Sequence, residues 1–232
     1  MSLIVKICGL STPETLDVAL DAGADMVGFV FFPPSPRNIS FETARTLRAR
    51  VRARAQTVAL TVDADDAIFD AIVASLRPDV LQLHGKESPD RVRAIRSRFG
   101  RPVMKAIAVE QASDLAAIAP YVGVADYLLF DARAPREATR PGGLGKAFDW
   151  RLLQEVDPAL AFMLSGGLDA DNVAEAVRIT RAGGVDVSSG VERAPGEKDL
   201  DKIRAFIRVA RDAERSVSAL AARHQMAPTS AA

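Results

Sequence analysis

The chain has one cysteine, Cys8, which closes the run LIVKIC; His84 closes DVLQLH and Asp131 closes DYLLFD. All three runs are short, apolar and β-branched, so a thiol, an imidazole and a carboxyl each stand at the end of an expected strand. A thiol and a carboxyl in such places can act as general base and general acid on a small organic substrate. Singly, each has a plainer reading. A free cysteine is often small apolar filler, and a lone histidine is often a satisfied core residue. A second set of residues suggests anion binding. SGGL at 165 to 168 and SSGVE at 188 to 192 offer Gly166, Gly167, Ser188, Ser189 and Gly190, small residues whose backbone amides can approach an oxyanion.

The elements that must carry these residues follow from periodicity. Strand-like runs fall at 3 to 8, 25 to 31, 57 to 62, 79 to 84, 102 to 107, 126 to 131, 161 to 165 and 185 to 189. Amphipathic segments separate them, about 41 to 54, 64 to 76, 88 to 98, 111 to 119, 170 to 182 and 198 to 213, with a short one near 149 to 155. The first helix reads from STPETLDVALDAG, with Ser11 as cap, Pro13 in the first turn, Glu14 completing a capping box and Gly23 ending it. Eight βα units could form an open doubly wound sheet. The count and the lack of an early Gly-rich dinucleotide fingerprint favour an α/β fold of the single (β/α)8 TIM barrel type. The barrel is expected over 1–213, and 214–232, small, polar and Ala-rich, reads as a flexible C-terminal extension made of a short helical piece and a loose tail.

Alternation along a strand then nominates a site. Lys6 and Cys8 share one face, as do Gln82 with His84 and Asp186 with Ser188, while Val5, Ile7, Leu81, Leu83, Val185 and Val187 take the helix-facing side. Cys8, His84, Asp131 and Ser188 converge at the C-terminal rim, where barrel enzymes build their sites. Lys6, Lys105 and Asp186 are expected deeper in the lumen, as structural charge partners outside the catalytic set. The two glycine loops follow strands seven and eight, where barrels most often bind phosphate, and a short helix near Ser189 would add its amides. The long segment 132 to 148, with PGGLGKAFDW, reads as a lid or binding loop.

Bulk properties bound the function. At 232 residues, 48% hydrophobic and 26% charged, the chain suits one soluble barrel. Thirty basic against thirty acidic residues give a formal charge of +0 with no basic cluster, which argues against nucleic acid. No apolar run is long enough for a membrane span, the N-terminus lacks a signal-peptide pattern, and a lone cysteine forms no intrachain disulfide. A cytoplasmic protein is expected, a monomer by default, with a homodimer left open.

KICG at 6 to 9, GFVFFPPSPR at 28 to 37, LQLHG at 81 to 85, FD at 130 to 131, GGLGKAFDW at 142 to 150, LSGGL at 164 to 168 and VDVSSGVE at 185 to 192 resemble, in order and spacing, phosphoribosylanthranilate isomerase. KICG on the first strand with SPR after the second is the specific part. The resemblance implies an Amadori rearrangement in tryptophan biosynthesis, with a small phosphorylated substrate and neither cofactor nor metal. It casts Asp131 as the acid that opens the ribose ring, Cys8 as the base that removes the C2′ proton, and Arg37 as the partner of the anthranilate carboxylate. Gly166, Gly167, Ser188, Ser189 and Gly190 would hold the phosphate, with His84 and Asp186 lining the site. The family's GGTG reads GGLG here, so Leu144 replaces a loop hydroxyl. As base, Cys8 needs a positive neighbour or helix-end amides, and Lys6 is one candidate. Other phosphate barrels are rivals: a sugar-phosphate epimerase, indoleglycerol-phosphate synthase, or the isomerase of the histidine pathway, whose paired aspartates are not matched by Cys8. A non-catalytic barrel that senses a phosphorylated metabolite would need neither Cys8 nor Asp131.

Overall fold

The computed structural model describes residues 2–134, 141–143, 145 and 147–225, with 218–225 as backbone only. Leu144 and the tail 226–232 lie outside the described residues, as do 135–140 and 146 of the 132 to 148 segment. Eight parallel strands close into a barrel in chain order: β1 (Ile4–Cys8), β2 (Met26–Phe31), β3 (Gln56–Thr61), β4 (Val80–Leu83), β5 (Val103–Val109), β6 (Tyr127–Ala132), β7 (Phe162–Leu164) and β8 (Gly184–Val187). β8 pairs with β1, placing Lys6 beside Asp186 and closing the ring. The barrel architecture read from the sequence is thus the observed one.

Outside the barrel run α1 (Pro13–Asp21), α2 (Phe41–Val51), α3 (Asp66–Leu76), α4 (Pro89–Phe99), α5 (Val173–Thr180) and α6 (Leu200–Gln225). A small antiparallel pair, β9 (Glu192–Ala194) and β10 (Glu197–Lys198), stands between β8 and α6. Val5, Ile7, Leu81, Leu83, Phe130, Val185 and Val187 join the large core between strands and helices, as alternation predicts. Met26, Val58, Val80, Met104, Leu129 and Met163 fill the lower lumen, so the barrel is a packed core, and the cleft that holds the nominated residues lies at its C-terminal mouth.

Strands β2, β4 and β6 are each preceded by an aspartate whose carboxylate accepts the backbone N–H of the neighbouring strand: Asp25 from Val5 at 2.7 Å, Asp79 from Thr57 at 2.8 Å and Asp126 from Val103 at 2.9 Å. These bonds satisfy strand-start donors at the N-terminal end of the barrel, where side chains serve stability.

Four local expectations change. Thr12, not Ser11, caps α1, its hydroxyl accepting the Thr15 N–H at 3.3 Å. Pro13 at the first helical position makes the residue before it the cap, and three residues on stands Thr15 rather than Glu14, so no capping box with Glu14 forms. The segment near 111 to 119 forms two short 3₁₀ stretches, Ala112–Ala117 and Ala119–Tyr121, in place of an α-helix. Leu115, Ile118 and Tyr121 pack on the core, but Pro120 lacks the N–H that a continuous helix needs and interrupts the ladder. The extension after 213 continues the last helix, as expected, but its start is not loose. Glu214 accepts the Leu3 N–H at 2.9 Å and Val217 packs on the core, so the start of the expected extension is tied to β1.

The fourth change concerns Lys105. It sits between the lumen-filling Met104 and Ala106, so its own side chain leaves on the helix side. There its Nζ donates to Glu87 at 2.9 Å and to the Gly85 carbonyl at 2.7 Å. Lys6 and Asp186 do share the lumen, 2.9 Å apart and both buried. Lys105 is not part of that set.

Candidate active site

Cys8, Arg37, His84, Asp131, Gly166, Gly167, Asp186, Ser188 and Ser189, all nominated from the sequence, line one cleft at the C-terminal mouth. Its empty volume, solvent-open mouth included, is about 800 Å³, of the size that takes a small metabolite. Gly190 is not among the lining residues. It packs the two glycine loops together, since a Cβ there would lie 1.9 Å from the Leu168 carbonyl oxygen.

Cys8 ends β1 with Lys6 one turn of the pleat below it. Gly28 on β2 lets both approach, because a methyl there would stand 3.0 Å from Cys8 Sγ and 3.2 Å from Lys6 Nζ. Burial pushes the Cys8 thiol above its ordinary value, and the ammonium of Lys6 pulls against that rise. Burial likewise opposes the charge on Lys6, but Asp186 and Cys8 outweigh it and hold the lysine above its usual value. The predicted positive neighbour of the thiol is therefore present and charged.

Asp131 ends the buried face of β6. Its Oδ2 lies 3.0 Å from His84 Nε2, and His84 Nδ1 lies 3.3 Å from the Gln82 amide nitrogen. Oδ1 accepts the Ala132 N–H at 2.9 Å. β1 and β6 stand three places apart around the ring, through β8 and β7. A substrate lying across the mouth would thus meet a thiol on one side and a carboxyl on the other.

The wall made by β2, β3 and the residues that follow them is apolar, with Val30, Phe32, Leu60 and Val62 about Cys8. At its edge Arg37 is 4% exposed, donating from Nε and Nη2 to Glu192 at 2.7 Å each and from Nη2 to the Gly143 carbonyl at 3.2 Å. Across the mouth Ser188 and Ser189 begin a one-turn 3₁₀ helix, Ser189–Val191, as the sequence suggested. Lys198 Nζ donates to the Ser188 carbonyl at 2.8 Å and to Glu192 at 2.8 Å. Glu192 and Lys198 were not nominated. Glu192 stood inside the quoted VDVSSGVE run, but its role needs the β9–β10 pairing, which no local pattern announces. The apolar wall was legible, since Val30, Phe32, Leu60 and Val62 keep the inward parity of their strands.

The mouth therefore combines an apolar wall edged by a guanidinium, a loop wall of glycine and serine with a buried ammonium behind it, and a thiol and carboxyl between. Among the described residues no three His, Cys, Asp or Glu side chains gather as a metal site.

Comparison with known proteins agrees with this geometry. The family model for N-(5'phosphoribosyl)anthranilate (PRA) isomerase matches residues 5–209. The N-(5'-phosphoribosyl)anthranilate isomerase of Bradyrhizobium sp. (strain ORS 278) is 67% identical over 214 residues, 92% of this chain and 98% of that one. The crystal structure of the phosphoribosyl anthranilate isomerase from Thermotoga maritima superposes with a TM-score of 0.81 at 37% identity, covering 90% of this chain and 99% of that one. A second such isomerase structure, in complex with reduced 1-(o-carboxyphenylamino)-1-deoxyribulose 5-phosphate, gives 0.79 at 34% identity over 90% of this chain and 99% of that one. The chain belongs to the N-(5'-phosphoribosyl)anthranilate isomerase family.

Proposed function

We infer that the cleft carries out the Amadori rearrangement of N-(5'-phosphoribosyl)anthranilate to 1-(2-carboxyphenylamino)-1-deoxyribulose 5-phosphate, by acid and base catalysis from Asp131 and Cys8. The chain is an isomerase of the aldose–ketose type in tryptophan biosynthesis. The observation that carries the assignment of roles is that Cys8 and Asp131 face one cleft whose remaining walls match the two ends of that substrate.

The aryl ring lies on Val30, Phe32, Leu60 and Val62, with its carboxylate toward Arg37, where a planar guanidinium suits a planar anion. The phosphate lies at Gly166, Gly167, Ser188 and Ser189. Between them, protonated Asp131 gives its proton to the ribose ring oxygen as the bond from C1′ to that oxygen breaks, leaving an iminium. The Cys8 thiolate takes the C2′ proton, and the electrons of that bond form C1′=C2′ and neutralise the iminium. The enol so formed tautomerises to the ketone, and the two side chains exchange protons with solvent to restore the starting state. No electron leaves the substrate, so the step balances without a redox partner.

A single buried cysteine suits a reducing cytoplasm. None of the described helices is long and apolar enough to cross a membrane. The test is the fluorescence decay of freshly generated substrate with wild type, Cys8→Ala and Asp131→Ala, each checked for folding. Fast decay with wild type and loss of about 10²–10⁴ in kcat for each variant is expected. Decay at the spontaneous rate with wild type would overturn the assignment.

A further inference from the structure

We propose that Glu192 is a positioning residue that joins the two ends of the substrate grip, holding Arg37 with one edge of its carboxylate and, through Lys198, the Ser188 loop with the other. This rests on the reading above, in which Arg37 meets the aryl carboxylate and Ser188 lies at the phosphate.

The bonding around Glu192 is complete. Oε1 accepts Arg37 Nε at 2.7 Å and Lys198 Nζ at 2.8 Å, and Oε2 accepts Arg37 Nη2 at 2.7 Å and the Gly196 N–H at 3.2 Å. Its backbone is held too, by Lys202 Nζ on its carbonyl at 2.8 Å. Lys198 spends its three protons on Glu192, the Ser188 carbonyl at 2.8 Å and the Ser188 hydroxyl at 3.2 Å. Ser188 Oγ in turn donates to the Cys8 carbonyl at 3.1 Å. One carboxylate thus fixes the guanidinium at one end of the cleft and the loop at the other. β9 and β10 make this possible by setting Lys198 directly opposite Glu192 across the ladder.

Two features separate positioning for function from a fold staple. Arg37, Glu192 and Lys198 are all under 8% exposed, and buried ions are a costly way to stabilise a fold compared with apolar residues of the same size. The cluster also holds two cations to one anion, leaving one positive charge beside a cleft meant for a substrate with a carboxylate and a phosphate. Arg37 bonds Glu192 through Nε and Nη2, which leaves Nη1, without a hydrogen-bond partner among the described residues, as the donor left for substrate.

The experiment compares wild type with Glu192→Gln, Glu192→Asp, Arg37→Ala and Lys198→Met in steady-state kinetics, with inorganic phosphate as a competing probe of one end alone. Glu192→Gln keeps the shape and removes the charge. It should raise KM about tenfold or more and weaken phosphate inhibition about fivefold, with kcat changed by less than about threefold. Arg37→Ala should raise KM and leave phosphate inhibition within about twofold, and Lys198→Met should weaken phosphate inhibition about fivefold. If Glu192→Gln does not fold, Glu192→Asp retains the charge one methylene short, and KM and the phosphate inhibition constant should still rise together. A folded Glu192 variant that loses kcat alone, or moves only one of the two constants, overturns the proposal while wild-type turnover keeps the isomerase reading. Absence of wild-type turnover overturns both.

Discussion

Asp131 Oδ2 and His84 Nε2 are hydrogen-bonded at 3.0 Å, and the chain of contacts continues from His84 Nδ1 to Gln82 at 3.3 Å. Gln82 Oε1 is buried without a partner among the described residues. Two proton arrangements fit these positions. With the amide nitrogen of Gln82 donating to Nδ1, Nε2–H donates to an ionised Asp131. With the amide turned, Oε1 accepts from Nδ1–H and Nε2 accepts from a protonated Asp131. The second arrangement is the one the proposed general acid needs, and in it His84 would be the acceptor that keeps the proton of Asp131 aimed. His84→Ala should lower kcat about tenfold with KM nearly unchanged, a smaller loss than Asp131→Ala. Kinetics of the two variants decide it; a His84→Ala enzyme with wild-type kcat removes His84 from the acid's support.

Lys105 and Glu87 form a buried pair at 2.9 Å behind β4 and β5, facing Tyr121 and not the cleft. Breaking it from one side leaves an unmatched buried charge, which costs about 3–5 kcal/mol. Lys105→Met should therefore lower the denaturation midpoint strongly, and Lys105→Met with Glu87→Gln should recover part of the loss. Urea unfolding of both variants checks this. A Lys105→Met protein as stable as wild type would mean that the pair is solvated in solution.

The misplacement of Lys105 shows how far the sequence reaches. Parity along a strand is reliable where the strand start is right, and it placed Cys8, His84, Asp131 and Asp186 on the lumen side. PVMKAI gives no polar alternation to set the phase, because Met104 and Ala106 are as apolar as Val103 and Ile107. A lone lysine in such a run looks inward or outward equally well. Arg37 was nominated by motif, yet its anchor could not be: Glu192 lies 155 residues away, and only barrel closure brings β8 beside β1 and β2. The place of the glycine and serine loops on the cleft was legible because they follow the strand ends directly, whereas Lys198 reaches the site through a long side chain on a two-residue strand.

The chain has one thiol, so any thiolate signal reports Cys8 alone. Burial pushes this thiol up, while Lys6 pulls it down. In the proposed mechanism the deprotonated form is the base, so activity should come from a minor thiolate fraction at neutral pH and grow as pH rises. Ultraviolet titration of the thiolate should give a midpoint above the ordinary value of about 8.5. Lys6→Met removes the opposing charge and should move the midpoint higher, with kcat at neutral pH falling about tenfold for every pH unit by which the midpoint rises. A midpoint below the ordinary value in wild type would show that the thiol is better solvated than its burial implies.

Burial lowers Lys198 to about 8, against the opposing attraction of Glu192, with Arg37 lowering it further and Cys8 raising it. Below that pH the lysine is an ammonium behind the Ser188 loop; above it the amine has lost its charge and one of its three N–H donors. A bound anion favours the charged form, so binding at this end takes up a proton near pH 8 and weakens as pH rises. Sulfate is the suitable probe, because its own charge is constant over this range. Its dissociation constant should increase through pH 8 in wild type, approaching about tenfold per pH unit well above the midpoint. Lys198→Met should bind sulfate weakly at all pH values and with a flatter profile. Isothermal titration of both proteins at several pH values tests this, and equal slopes would place the titrating group elsewhere than Lys198.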